Sequence, residues 1–67
     1  MKYRDLIKTI EAAGWVHERT KGSHMQFSHP ARIGKVTVPG GGKLSREVPP
    51  GTLKSILKQA GLQDNRA

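Results

Sequence analysis

Gly14-Trp15-Val16-His17-Glu18-Arg19-Thr20-Lys21-Gly22-Ser23-His24-Met25-Gln26-Phe27-Ser28-His29-Pro30 reads as two short β-prone runs about a tight turn. Val, Trp, Phe and Thr suit a pleated, half-buried surface, and Lys21-Gly22 breaks the run where a hairpin needs its turn. His29-Pro30 closes the second run, because proline cannot donate into a ladder. With Lys21-Gly22 as a two-residue turn, Thr20 faces Ser23, Arg19 faces His24, Glu18 faces Met25, His17 faces Gln26 and Val16 faces Phe27. Side chains alternate, so one face carries Val16, Met25 and Phe27 and the other carries Trp15, His17, Arg19, His24 and Gln26. Glu18 is a misfit on the apolar face, which a bulge or a longer turn would resolve.

Outward from the hairpin, Ile33-Gly34 turns the chain and Lys35-Val36-Thr37-Val38 alternates as a third strand that Pro39 ends. Gly40-Gly41-Gly42 then reads as a flexible loop. Upstream, Tyr3, Leu6, Ile7, Ile10 and Ala13 fall at helical spacing, with Gly14 as the stop. Downstream, Pro49-Pro50-Gly51-Thr52 opens a second helix whose stripe is Leu53, Ile56, Leu57 and Ala60. Gly61 followed by Leu62 has the composition of a left-handed cap with a hydrophobic contact. The pattern predicts an α+β fold in the order helix, three strands, helix. Its antiparallel sheet carries both helices on the face of Phe27, Val36 and Val38. Residues 1–67 form one domain in this reading, with 63–67 as a polar tail, and a chain this short has only a small core to spend on stability.

Twelve Lys and Arg against five Asp and Glu give a net charge of +7 over 67 residues. Such a field favours a polyanion, bound with strong salt dependence and little sequence preference. An acidic protein would also suit it. A membrane surface suits it less, because the charges are scattered and not gathered on one apolar-faced helix. Cysteine is absent, which removes disulfides, Cys-based zinc sites and thiol nucleophiles together. With no apolar run for a signal peptide or a membrane span, the expected compartment is the cytoplasm.

His24 is the best candidate for chemistry. An imidazole on an uncovered, positive face can take a proton from a ribose 2′-hydroxyl, and Arg19 beside it can stabilise charge on phosphoryl oxygens. Its bland alternative is an ordinary strand histidine in water. His17 and His29 read as scaffold, His29 most of all because it precedes proline. A zinc site from the three histidines fails on parity, since His29 faces the other way and no carboxylate completes the set. Ser23 cannot pair with His24 as a nucleophile, because neighbours on a strand point apart. Gly40-Gly41-Gly42-Lys43 lacks the spacing of a phosphate-binding loop. Arg19, Lys21, Lys35, Lys43, Lys54 and Lys58 are the candidate RNA-binding residues, with Arg32 and Arg46 on the same rim. Trp15 is either a base-stacking platform or structural.

Three stretches, GWVHERTKGSHMQFSHP, VTVP and PPGTLKSILKQAGL, carry a family likeness that extends over nearly the whole chain. It resembles the HicA toxins of bacterial and archaeal HicA–HicB toxin–antitoxin pairs. The most specific likenesses are Gly22-Ser23-His24 before a strand ending in His29-Pro30, and the Gly51-Thr52-Leu53 helix start. The resemblance implies a double-stranded-RNA-binding-domain-like fold used as a small, metal-independent mRNA endoribonuclease. It also implies His24 as the catalytic residue, no cofactor, RNA and a HicB-like antitoxin as partners, and a monomer when free. Where relatives carry a histidine or other polar residue after the third strand, this chain has Gly40-Gly41-Gly42, so no second catalytic group carries over from that loop. The alternatives are a non-catalytic double-stranded-RNA-binding module and a small basic adaptor for an acidic protein.

Overall fold

The structure is a computed structural model that describes residues 1–40 and 42–62. The tail expected at 63–67 lies outside the described residues. Helix α1 spans Tyr3–Ala12 and buries Tyr3, Leu6, Ile7 and Ile10, the stripe read from the sequence. It ends in a Schellman cap: Gly14 N–H donates to Glu11 O (3.0 Å) and Trp15 N–H to Ile10 O (3.1 Å). Gly14 sits at φ +100°, where a side chain is strained, and a Cβ there would lie 2.6 Å from His29 Nε2.

No side chain caps the start of α1. The orphan N–H groups of Tyr3 and Arg4 instead donate to the carbonyls of Arg46 (2.9 Å) and Leu44 (3.0 Å). Lys2 forms a bridge with Glu47, and Val48 N–H reaches Met1 O at 2.9 Å. Segment 42–48 thereby ties the beginning of α1 to the approach of α2. Gly40, expected in a flexible loop, is held by a bond from its N–H to Ser23 O (2.8 Å), with the Tyr3 ring against its α-carbon.

Strands β1 (Val16–Lys21), β2 (His24–Ser28) and β3 (Val36–Pro39) form an antiparallel sheet in that order. The register departs from the expected one. Lys21 faces His24, Thr20 faces Met25 and Arg19 faces Gln26; after a bulge at Glu18, His17 faces Phe27 and Val16 faces Ser28. The turn is Gly22-Ser23, because Gly22 adopts φ +63° and Ser23 does not need a positive φ, the demand of a type II′ hairpin. Moving the turn by one residue changes every partner yet preserves the faces of Arg19, His24 and Gln26, and brings Lys21, expected in the turn, into the strand on that same face. The bulge then inverts the faces of Val16 and His17. Val16, expected in the core, is 57% exposed, and His17 lies beside Phe27 with ring centroids 5.4 Å apart. Trp15, expected on the open face, is 3% exposed and donates its indole N–H to Ala60 O at 3.2 Å. Glu18 escapes the core as the bulged residue.

Helix α2 spans Pro50–Gln59, with proline in its first turn and Leu53 N–H bonded to Pro49 O (2.9 Å). Its end repeats the Schellman geometry, with Gly61 N–H to Lys58 O (3.1 Å) and Leu62 N–H to Leu57 O (2.8 Å). Leu62 packs on the core, as its position predicts. Phe27, Val36 and Val38 from the sheet meet Leu6 and Ile10 of α1, Ile56 of α2 and Ala60 at its C-cap in one apolar cluster. Each large side chain so buried contributes about 1.5–3 kcal/mol before entropy. The fold is thus α+β, of the double-stranded-RNA-binding-domain-like kind. One further contact joins α2 to the sheet: Thr37 N–H, on the outer edge of β3, donates to Gln59 Oε1 at 3.2 Å.

Candidate functional site

His24 opens β2 on the sheet face turned away from the core and is exposed. Lys21 stands directly across from it on β1 and Pro39 on β3, while Arg19 lies one pair further along the same face. The arginine expected opposite His24 is therefore replaced there by a lysine. Between α2 and the edge of β3, where Thr37 N–H meets Gln59 Oε1, lies a cleft of about 370 Å³. His24, Thr37 and Pro39 line one side, Gly51, Thr52, Ser55 and Gln59 the other, with Ile56 also contributing.

The first turn of α2 opens onto this cleft. Pro49 and Pro50 have no N–H, and Leu53 is the first residue whose N–H finds a carbonyl at the turn. The N–H groups of Gly51 and Thr52 stand at the orphan positions of a helix start, where the helix dipole favours an anion. An imidazole, aliphatic hydroxyls and these amides thus share one concavity, a set suited to moving a proton beside a phosphate.

The basic residues divide by surroundings. Lys35 is paired with Glu18 at 2.5 Å, and that contact, followed by Ser28, holds the Glu18 carboxyl below its ordinary range. Among the described residues Arg19, Lys21, Lys43, Lys54 and Lys58 have no carboxylate partner, and all five are exposed. Lys43 N–H is taken by Gly40 O at 2.8 Å, so it is not free to cradle a phosphate. The Arg32 guanidinium packs over Gly61 at the carbonyl end of α2, where positive charge is favoured, and so is drawn off the expected rim.

The other two histidines belong to the scaffold. His29 Nδ1 accepts from Ala31 N–H (3.0 Å), so its proton sits on Nε2 and is donated to Ala13 O (3.0 Å). Its ring meets Trp15 edge-on at 5.2 Å, and a buried Trp15 cannot stack a base. His17 Nε2 lies 2.9 Å from Thr20 Oγ1. Among the described residues no three His, Cys, Asp or Glu side chains group as a metal site. The sequence reading missed Thr37, Thr52, Ser55 and Gln59. Its one available signal was the polar spacing of the last three on a helix whose other positions are apolar or lysine.

No helix among the described residues is long and apolar enough to cross a membrane. A search of curated proteins finds no match. Residues 3–62 match the family model described as the HicA toxin of bacterial toxin–antitoxin. That match runs from the first residue of α1 to the cap after α2, in agreement with the resemblance read from the sequence. The chain therefore belongs to the HicA toxin family, the toxin component of a toxin–antitoxin system with a cognate antitoxin as partner.

Proposed function

We propose that this toxin is a metal-independent endoribonuclease that cleaves mRNA with His24 as general base. The reading rests above all on the position of His24: exposed on the uncovered sheet face, at the lip of a cleft whose far wall is the start of α2. His24 takes the proton of a ribose 2′-hydroxyl, the 2′-oxygen attacks its own phosphorus, and the bond to the 5′-oxygen breaks. The leaving oxygen gains a proton from solvent, giving a 2′,3′-cyclic phosphate and a 5′-hydroxyl. Lys21 and Arg19 hold the strand's phosphates on the sheet face, while Lys43, Lys54 and Lys58 extend the positive track. The protein acts as a monomer in the cytoplasm. A HicB-like antitoxin of acidic surface silences it by covering the same face.

The test is cleavage of labelled mRNA by wild type and His24→Ala in the presence of chelator, with end-group analysis. Cleavage by wild type alone, leaving 5′-hydroxyl ends, is expected. Products with 5′-phosphates, or activity lost to the chelator, overturn the mechanism. RNA binding without cleavage by either protein points to a binding module.

A further inference from the structure

Thr52, Ser55 and Gln59 fall three and four residues apart on α2, and all three line the cleft. Gln59 is fixed by chemistry that allows only one orientation. A backbone N–H can only donate, so the Gln59 atom facing Thr37 N–H is its carbonyl oxygen, and its NH₂ is left to donate to Ser55 Oγ at 3.3 Å. Ser55 Oγ therefore accepts from Gln59 and keeps its own hydrogen to give. Thr9, also on a helix, spends its hydroxyl hydrogen on the carbonyl of Asp5 at 2.9 Å. Among the described residues the Ser55 hydroxyl has no such acceptor.

We propose that Ser55 donates its hydroxyl hydrogen to a non-bridging oxygen of the scissile phosphate, and that Gln59 is the positioning residue that keeps Ser55 a donor. This deepens the ribonuclease reading and rests on it. Charge grows on the phosphoryl oxygens as the 2′-oxygen attacks, so a donor fixed beforehand is worth more in the transition state than in the ground state. The hydroxyl stands across the cleft from His24, so the base works at one side of the phosphate and the donor at the other.

The experiment is single-turnover cleavage of a short RNA by the full chain, using oxygen substrate and both phosphorothioate diastereomers at the scissile position. Ser55→Ala is expected to lose about ten- to hundred-fold in kcat/KM, the worth of one charge-assisted hydrogen bond. Ser55→Thr retains most of the rate. Alanine is the better helix former at this exposed position, so the fold and Tm are unchanged. In wild type one diastereomer reacts slowly, and Ser55→Ala removes most of that penalty. Gln59→Glu still accepts from Thr37 but turns the second bond round, so that Ser55 donates to the carboxylate; its rate falls at least as far as that of Ser55→Ala. Equal rates for wild type and Ser55→Ala, with His24→Ala inactive, overturn the role of Ser55 and leave the ribonuclease reading standing. A rate loss in Ser55→Ala with the sulfur penalty unchanged overturns it too. If wild type cleaves no faster than His24→Ala, the ribonuclease reading fails and the role of Ser55 falls with it.

Discussion

His24 and His29 sit five residues apart, and their replacement by alanine should have opposite signatures. His29 bonds through both ring nitrogens, to Ala31 N–H and Ala13 O, and packs edge-on against buried Trp15. Each net hydrogen bond is worth about 0.5–1.5 kcal/mol. The aromatic contact adds about 0.5–1.5 kcal/mol. His29→Ala is therefore expected to cost about 1.5–4.5 kcal/mol. For a chain of this length total stability is about 3–10 kcal/mol, so the loss is a large fraction of it. At about 4–8 °C per kcal/mol, Tm falls by about 6–36 °C. His24 is exposed and makes no side-chain hydrogen bond among the described residues, so His24→Ala shifts stability by no more than about 0.5 kcal/mol. The assay is thermal and urea unfolding followed by far-ultraviolet circular dichroism and Trp15 fluorescence, run beside the cleavage assay. A His29→Ala protein that melts within about 3 °C of wild type would refute the assignment of His29 to the scaffold. So would a His24→Ala protein as unstable as His29→Ala.

Gly14→Ala places a Cβ at φ +100° and against the His29 ring, and should cost about 1–3 kcal/mol. Gly34→Ala, at φ +89° with nothing within 4 Å, should cost less, and urea midpoints of the two rank them. The Glu18 carboxyl is held below its ordinary 4.5 in the folded chain, so its stabilising contribution is present above that value and lost as pH falls through the folded one. Glu18→Gln should flatten the acid limb of stability against pH; an unchanged limb would mean that the pair with Lys35 contributes nothing. In RNA binding, Lys54→Ala or Lys58→Ala should each reduce the salt slope by about one, uniformly across sequences. Lys35→Ala should reduce it less, because Glu18 already neutralises Lys35.

Element order was legible in the sequence because it rests on local chemistry: apolar spacing in both helices, glycine at both helix ends, proline at the start of α2 and the end of β3. The hairpin register was not. Lys21-Gly22 and Gly22-Ser23 are both plausible turns by composition, and what separates them is the position of the positive φ. The bulge was signalled by the misfit of Glu18 but left open against a longer turn, since the pairing of Glu18 with Lys35 involves a residue beyond the hairpin. His24 kept its predicted face because the register error was even there, whereas Trp15 and Val16 lay past the bulge and changed sides. The cleft lies between a helix and a strand edge that meet at Gln59 and Thr37, and no local pattern encodes that meeting.

The start of α1 is capped by carbonyls of Leu44 and Arg46, not by side chains, and both of those side chains are exposed. Val48 just beyond is buried in the core, but every amino acid supplies a carbonyl, so the helix start asks for a backbone path through 44–46 and for almost no particular residue identity there. Those surface positions are free to diverge without unfolding the chain. A charge or an apolar side chain can be exchanged there at little cost to the fold.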